Sequence, residues 1–306
     1  MKKVLLSTVL ASLIASGALY AKEAKEASKV LNTTDSKITL INKEAVSHAK
    51  ANAQAHQQKL VQEAIDSLKL AHKALVDLNA KKSKEATDDI AKALGKLEVI
   101  LSAEKAPKLL PVDAFVTINE FAGDSKAAKA GVKLAKDLLD HDRIQEARRL
   151  LNTLQSEMDI TVINLPLSSY PDALKLAAKY LHEQKIEKAK EVLSIALSTF
   201  DEVTQVVPLP LVKAIDLATA ASKIAKKDKK RALDYLAAAE DQIKTAEALG
   251  YVSESTTTYE KLYKMIKGIK KEIKGKNEVE KLFETFLNKL RGFKNKATSS
   301  AEKSSK

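Results

Sequence analysis

The stretch KIEKAKEVLSIAL, residues 185–197, opens with charged residues, places a small Ala at 189 and continues as an apolar stripe at helical spacing. Three other stretches share this layout: KSKEATDDIAKAL at 82–94, RIQEARRLLNTL at 143–154 and DKKRALDYLAAA at 228–239. Their small residues are Ala86, Ala147, Ala189 and Ala232, the last three separated by 42 and 43 residues. That interval is close to the length of a two-helix unit with its connections. Earlier helices precede them, as in KLAKDLL at 133–139 and KLAAKYL at 175–181, and a polar turn, DHDR at 140–143 or HEQK at 182–185, joins each pair. An Ala near the start of the second helix lets two backbones approach where a larger side chain would hold them apart. The pattern predicts an all-α chain of stacked helical hairpins.

Composition agrees. With 306 residues, 45% of them hydrophobic, the chain can bury a sizeable core, and eight Gly and six Pro are too few for a turn-dense all-β protein. The prolines fall at recurrent places: LLPVD at 109–113, NLPLSSYPDA at 164–173 and VPLPLVKA at 207–214 each follow the second helix of a hairpin. Proline lacks the N–H that a helix interior needs and biases its predecessor away from α geometry, so it is expected to end one helix or to begin the next. The simplest reading is a set of structural corners. The flanking aliphatics add a second one, an apolar connector surface made by Leu110, Pro111, Leu165, Pro166, Leu167, Pro208, Leu209 and Pro210.

The N-terminus reads as an address. Lys2 and Lys3 precede the apolar run VLLSTVLASLI at 4–14 and the small residues of ASGALYA, the layout of a secretory signal peptide over residues 1–21, with cleavage after Ala18 or Ala21. A membrane anchor is the alternative, but the run is short for a span. The absence of Cys removes disulfides and thiol chemistry, and an exported chain without disulfides suits the periplasm. Residues 22–42 show no sustained periodicity and are read as a flexible tether, 43–275 as the helical domain, 276–297 as a basic amphipathic helix and 298–306 as a disordered tail.

The net charge of +12 is unevenly placed: residues 261–306 hold fourteen Lys and Arg against five Asp and Glu, whereas residues 22–260 are nearly neutral. The main body therefore lacks the basic surface of a nucleic-acid binder. In the terminal segment Leu282, Phe283, Phe286, Leu290 and Phe293 line one helical face with Lys289 and Arg291 elsewhere, so this helix is a candidate for lipid or for a partner, with docking on the protein's own core as the plainer reading.

No nucleophile, phosphate-binding loop, HExxH or Cys/His cluster is present, and no cofactor motif is found. The adjacent Asp140, His141 and Asp142 point in different directions on a helix end, and His182 sits in the equivalent turn, so both read as solvated turns and not as metal ligands. His72 differs. It falls on the stripe Val61, Ile65, Leu68, His72, Leu75, where burial would disfavour its charged form and make it a candidate pH-responsive residue.

LPVD, DRIQEARRLLNTLQSE, LPLSSYPDALKLA, IALSTFDEVTQVVPLPLVKA and AEALGY, in this order between about residues 57 and 273, resemble the YfdX family of bacterial exported proteins. The hairpins are also tetratricopeptide-like, without the Trp, Gly and Tyr pattern of that repeat. The family resemblance implies a helical periplasmic protein associated with stress or acid resistance, chaperone-like, with no catalytic residues to carry over. The expectation is therefore a non-enzymatic stress protein that binds other polypeptides or itself as an oligomer. A small-ligand or metal-sensing helical protein is the alternative.

Overall fold

The Leu-Pro connectors at 110–111 and 165–166 belong to β-strands, and at 207–210 Pro208 ends a strand while Leu209 and Pro210 begin a helix. The computed structural model describes residues 36–55, 61–103, 106–251, 258–275 and 279–304. In chain order its elements are α1 (Ser36–Ala55), α2 (Gln62–Asn79), α3 (Ser83–Leu101), β1 (Leu109–Asn119), α4 (Ser125–Asp140), α5 (Ile144–Thr153), β2 (Glu157–Pro166), α6 (Tyr170–His182), α7 (Ile186–Ala196), β3 (Asp201–Pro208), α8 (Leu209–Ile224), α9 (Lys229–Ala248), α10 (Tyr259–Lys274) and α11 (Glu280–Ser304). The molecule is mostly helical and built of stacked hairpins, with one small antiparallel sheet in the order β1-β2-β3.

The strand segments are rich in β-branched residues: FVTI in β1, ITVI in β2 and VTQVV in β3. Proline is tolerated there by its position. Pro166 and Pro208 are the last residues of their strands, and Pro111 adjoins an irregularity where the β1–β2 register shifts between Pro111 and Asp113. The expectation that these three prolines end helices is thus corrected, since they mark strand ends and a bulge. Pro171 and Pro210 do sit in the first turn of a helix, α6 and α8 respectively.

The repeating unit is two helices and a strand. Because β1 pairs antiparallel with β2 from Leu109↔Pro166 to Asn119↔Glu157, and β2 with β3 from Glu157↔Pro208 to Asn164↔Asp201, successive hairpins emerge at opposite ends of the sheet. A strand of eight to eleven residues carries the chain roughly 25–35 Å before the next hairpin begins. The first hairpin, α2–α3, therefore packs on the third, α6–α7, and the second, α4–α5, packs through α4 on the fourth, α8–α9. Hairpins stack as alternates and not as consecutive units of a solenoid.

Two cores result. One joins α2, α3, α6 and α7 around Leu78, Ile90, Leu97, Tyr170, Leu174 and Leu193. The other joins α8 to α11 with the start of α1 around Leu211, Leu236, Ile243, Leu262, Phe286 and Leu290. A smaller cluster, Met158, Val207 and Leu209 with Ala53, lies beneath the sheet. Ala86, Ala147, Ala189 and Ala232 are all fully buried, as close helix approach requires. Between the helices of the first hairpin, Ser67 Oγ donates to the Ala93 carbonyl at 2.9 Å, which satisfies a hydroxyl with no exposure.

The hairpin turns share one geometry. Lys81, Asp142 and Gln184 adopt φ of 63°, 56° and 56°, and the next residue's N–H returns to a carbonyl five residues back: Lys82 to Asp77, Arg143 to Leu138 and Lys185 to Tyr180. The fourth hairpin closes otherwise, with Lys227 and Asp228 both donating to Ile224. At each end of the chain, helix extends into segments expected to be irregular. Residues 36–42 of the expected tether belong to α1, and α11 runs through residue 298, buried, to Ser304, where a disordered tail was expected. The signal-peptide segment 1–21 lies outside the described residues.

Candidate functional site

Strand pairing decides where the connector residues go. Leu110, Leu165 and Leu167 are buried in the core of α2, α3, α6 and α7, while Leu209 is buried below the sheet and Pro208 and Pro210 are buried beside it. Pro111 and Pro166 are half-buried. The eight residues seal the ends of the sheet against the helices and do not form an exposed apolar surface, which corrects that expectation.

The terminal helix is likewise committed to the protein's own core. Phe283, Phe286, Leu290 and Phe293 are buried among α8, α9 and α10, and the Phe293 ring meets Tyr259 edge-on at 4.8 Å. Leu282, Lys289 and Arg291 face outward. The aromatic face expected to meet lipid or a partner is therefore occupied internally. No helix among the described residues is long and apolar enough to cross a membrane.

His72 is exposed, beside Leu68, Lys69, Leu197 and Phe200. The buried stripe of α2 is Ala64, Ser67, Ala71, Ala74 and Leu78, one residue out of step with the stripe read from the larger side chains. Small residues face α3 because they permit close contact, and the bulkier ones flank them; the burial on which the pH-responsive reading of His72 depended is absent. His141 Nδ1 lies 2.7 Å from the Asp137 carbonyl, within its helix end. Among the described residues no group of three or more His, Cys, Asp or Glu could hold a metal ion.

Two features were not anticipated. The first is the outer side of α4–α5. Leu134, Leu139, Ile144 and Leu151 are 48%, 46%, 57% and 43% exposed, and of α5 only Ala147 is buried. Ile144 and Leu151 stand two turns apart on one face. Each such side chain leaves on the order of 1 kcal/mol of burial unrealised. Basic residues surround them: Lys126, Lys129, Lys133 and Lys136 on α4, Arg148 and Arg149 on α5. The hairpin is held by its inner side, where Ser125 Oγ donates to Asp241 at 2.5 Å on α9. The amphipathic pattern was visible in the sequence, but nothing in it separated this hairpin from those that find a cover.

The second is a carboxylate pair on the open side of β2. The Tyr251 hydroxyl donates to Glu157 Oε2 at 2.7 Å and accepts from the Ser156 N–H at 2.9 Å, tying the end of α9 to the sheet. Gly250, at φ 87°, lets the chain turn so that Tyr251 reaches it. Asp159 stands beside Glu157 with Oδ1 buried and without a hydrogen bond, and burial followed by the Glu157 charge pushes its pKa up to about 6.

These elements, the three helix-helix-strand units with their Leu-Pro ends, coincide with a known family. Residues 67–206, from within α2 to within β3, match the model of the family described as YfdX protein. Over those residues, a little under half of the chain, it is similar to the YfdX family. The matched segment spans the sheet and the three hairpins that lead into or connect its strands, whereas α1 and α8 to α11 lie outside the match. A solved structure of YfdX from Salmonella Typhi is similar to it at 15% identity, with 49% of this chain and 94% of that chain covered and a TM-score of 0.35. No curated protein matches the chain.

Proposed function

We propose that this protein is an exported, stress-associated binding protein that works without a catalytic centre and takes other polypeptides on the outer face of α4–α5. The observation that carries the reading is the half-exposure of Leu134, Leu139, Ile144 and Leu151 together on one hairpin, of whose second helix only Ala147 is buried. An unfolded or partly folded client offers apolar segments to such a face, and the surrounding Lys and Arg favour clients with acidic stretches. A second copy of the chain is a polypeptide of the same kind, so self-association belongs to the same reading. The similarity to the YfdX family over residues 67–206 supports the stress association, and the signal-like residues 1–21 support export to the periplasm.

The test is suppression of aggregation of an unfolded client by the wild type and by a Leu134→Ser, Ile144→Ser, Leu151→Ser variant, alongside sedimentation of both. The expected result is suppression by the wild type, strongly reduced in the variant, with the melting temperature preserved because these side chains bear little of the core. A wild type that neither suppresses aggregation nor self-associates ends the reading, and a variant that matches the wild type removes α4–α5 as the surface.

A further inference from the structure

Beneath the sheet, α1, the first turns of α8 and the far end of α11 leave a cleft of about 460 Å³, within the roughly 300–1,000 Å³ typical of small-molecule sites. Its floor is apolar: Met158 and Ile160 of β2 and Val207 of β3, continued by Val212 and Ile215 of α8. Ala45, Ala49 and Ala53, four residues apart, form a recessed helix wall opposite, where a Leu at any of the three would fill the space. Polar groups come from α11, which contributes Lys294, Asn295 and Thr298, and from His48 and Asn52 of α1 and Gln205 of β3.

Two charged side chains line this cleft in unequal circumstances. Lys294 is half-buried and burial alone holds its pKa down; no carboxylate among the described residues reaches it within ion-pair distance. Asp216 is half-buried too, with its pKa raised by burial, but His48, Arg291 and Lys223 act against that rise, and Glu44 with it. The carboxylate therefore has cations about it, and the ammonium has no counter-charge among the described residues. A ligand that relieves the larger imbalance brings an anion to Lys294 and a hydrocarbon body to the floor.

From the cleft's apolar floor and its uncompensated lysine, we propose that this site binds organic acids with a hydrocarbon body, the carboxylate on Lys294 and the chain against Met158, Ile160 and Val207. The activity is separate from polypeptide binding on α4–α5, which lies at the outside of the second hairpin.

Octanoate is the probe, titrated into the protein by calorimetry and by amide chemical-shift mapping, with octylamine and acetate as the charge and tail controls. The expected result is saturable octanoate binding that moves the amides of Ala49, Val207 and Thr298, with acetate at least about tenfold weaker and octylamine leaving those amides in place. Lys294→Met, which keeps the stem and removes the charge, is expected to weaken octanoate about tenfold or more without lowering the melting temperature, because it deletes a half-buried charge that has no partner. Ala49→Phe, which fills the recess, is expected to abolish binding. Equal binding of octylamine, shifts confined to residues elsewhere, or undiminished affinity in a folded Lys294→Met variant would each overturn the proposal.

Discussion

Lys81, Asp142 and Gln184 carry the hairpin turns in a left-handed conformation that costs a residue with a Cβ about 1 kcal/mol relative to glycine. All three are exposed and contribute no side chain to a core. Gln184→Gly is accordingly expected to stabilise the protein by about 0.5–1 kcal/mol, read as a higher urea midpoint at unchanged slope; a lower midpoint would mean that the side chain contributes something the turn geometry does not reveal. Asp159 sets a second expectation at this scale. Its pKa stands at about 6 in the fold against the ordinary 3.8, so the folded state binds a proton that the unfolded state releases between about pH 4 and 6. The penalty of the charged carboxylate is present at neutral pH and lifts as pH falls through 6, and the fold gains stability on acidification from this group. Asp159→Asn should be more stable than the wild type at pH 7 and should lose that part of the gain between pH 7 and 4, measured by denaturant unfolding across the range. Parallel curves for the two proteins would count against the assignment. His72, by contrast, lies in solvent, because the small-residue stripe of α2 faces inward.

A helix here is defined by what its smallest residues touch. Ala86, Ala147, Ala189 and Ala232 lie where paired helices meet, and their positions could be read from the sequence because a recurring Ala among charged residues has one economical explanation, close approach. Ala189→Leu is expected to cost about 1–3 kcal/mol by overpacking, while Ala130→Leu on the exposed side of α4 changes stability by less than about 0.5 kcal/mol. Chemical denaturation of the two variants side by side makes the comparison. The strands were less legible. Leu-Pro reads as a helix stop, yet Pro111 lies within β1 and Pro166 and Pro208 close β2 and β3, and only a strand's neighbours in the sheet supply the ladder that makes it one.

Across the whole molecule, antiparallel pairing sorts alternate hairpins to opposite ends and divides the apolar residues into two cores. Leu174 belongs to the core of α2, α3, α6 and α7, and Phe286 to that of α8 to α11. Leu174→Ala should cost about 2–5 kcal/mol and Phe286→Ala about 3–5 kcal/mol. Hydrogen exchange should place the loosened amides of each variant in its own core, whereas uniform loosening in both would mean that the sheet couples the two into one unfolding unit. The terminal helix belongs to this scale as well. Ending the chain at Gly275 removes Phe283, Phe286, Leu290 and Phe293 from the second core, so loss of soluble folded protein is expected instead of a selective loss of binding.

What the sequence determined by itself is the local grammar: helices paired across small residues, turns at DHDR and HEQK, and an order of segments that resembles the YfdX family. Those are properties of spacing and of backbone chemistry, carried within a few tens of residues. Which apolar faces are covered was decided by the tertiary structure alone. The stripe of α5 and the aromatic face of α11 are written in the same amphipathic code, yet one remains in solvent and the other is core, because burial depends on which elements the sheet brings together, a long-range outcome that no local period encodes. The cleft at Lys294 arises in the same way, from four segments distant in the chain that meet there.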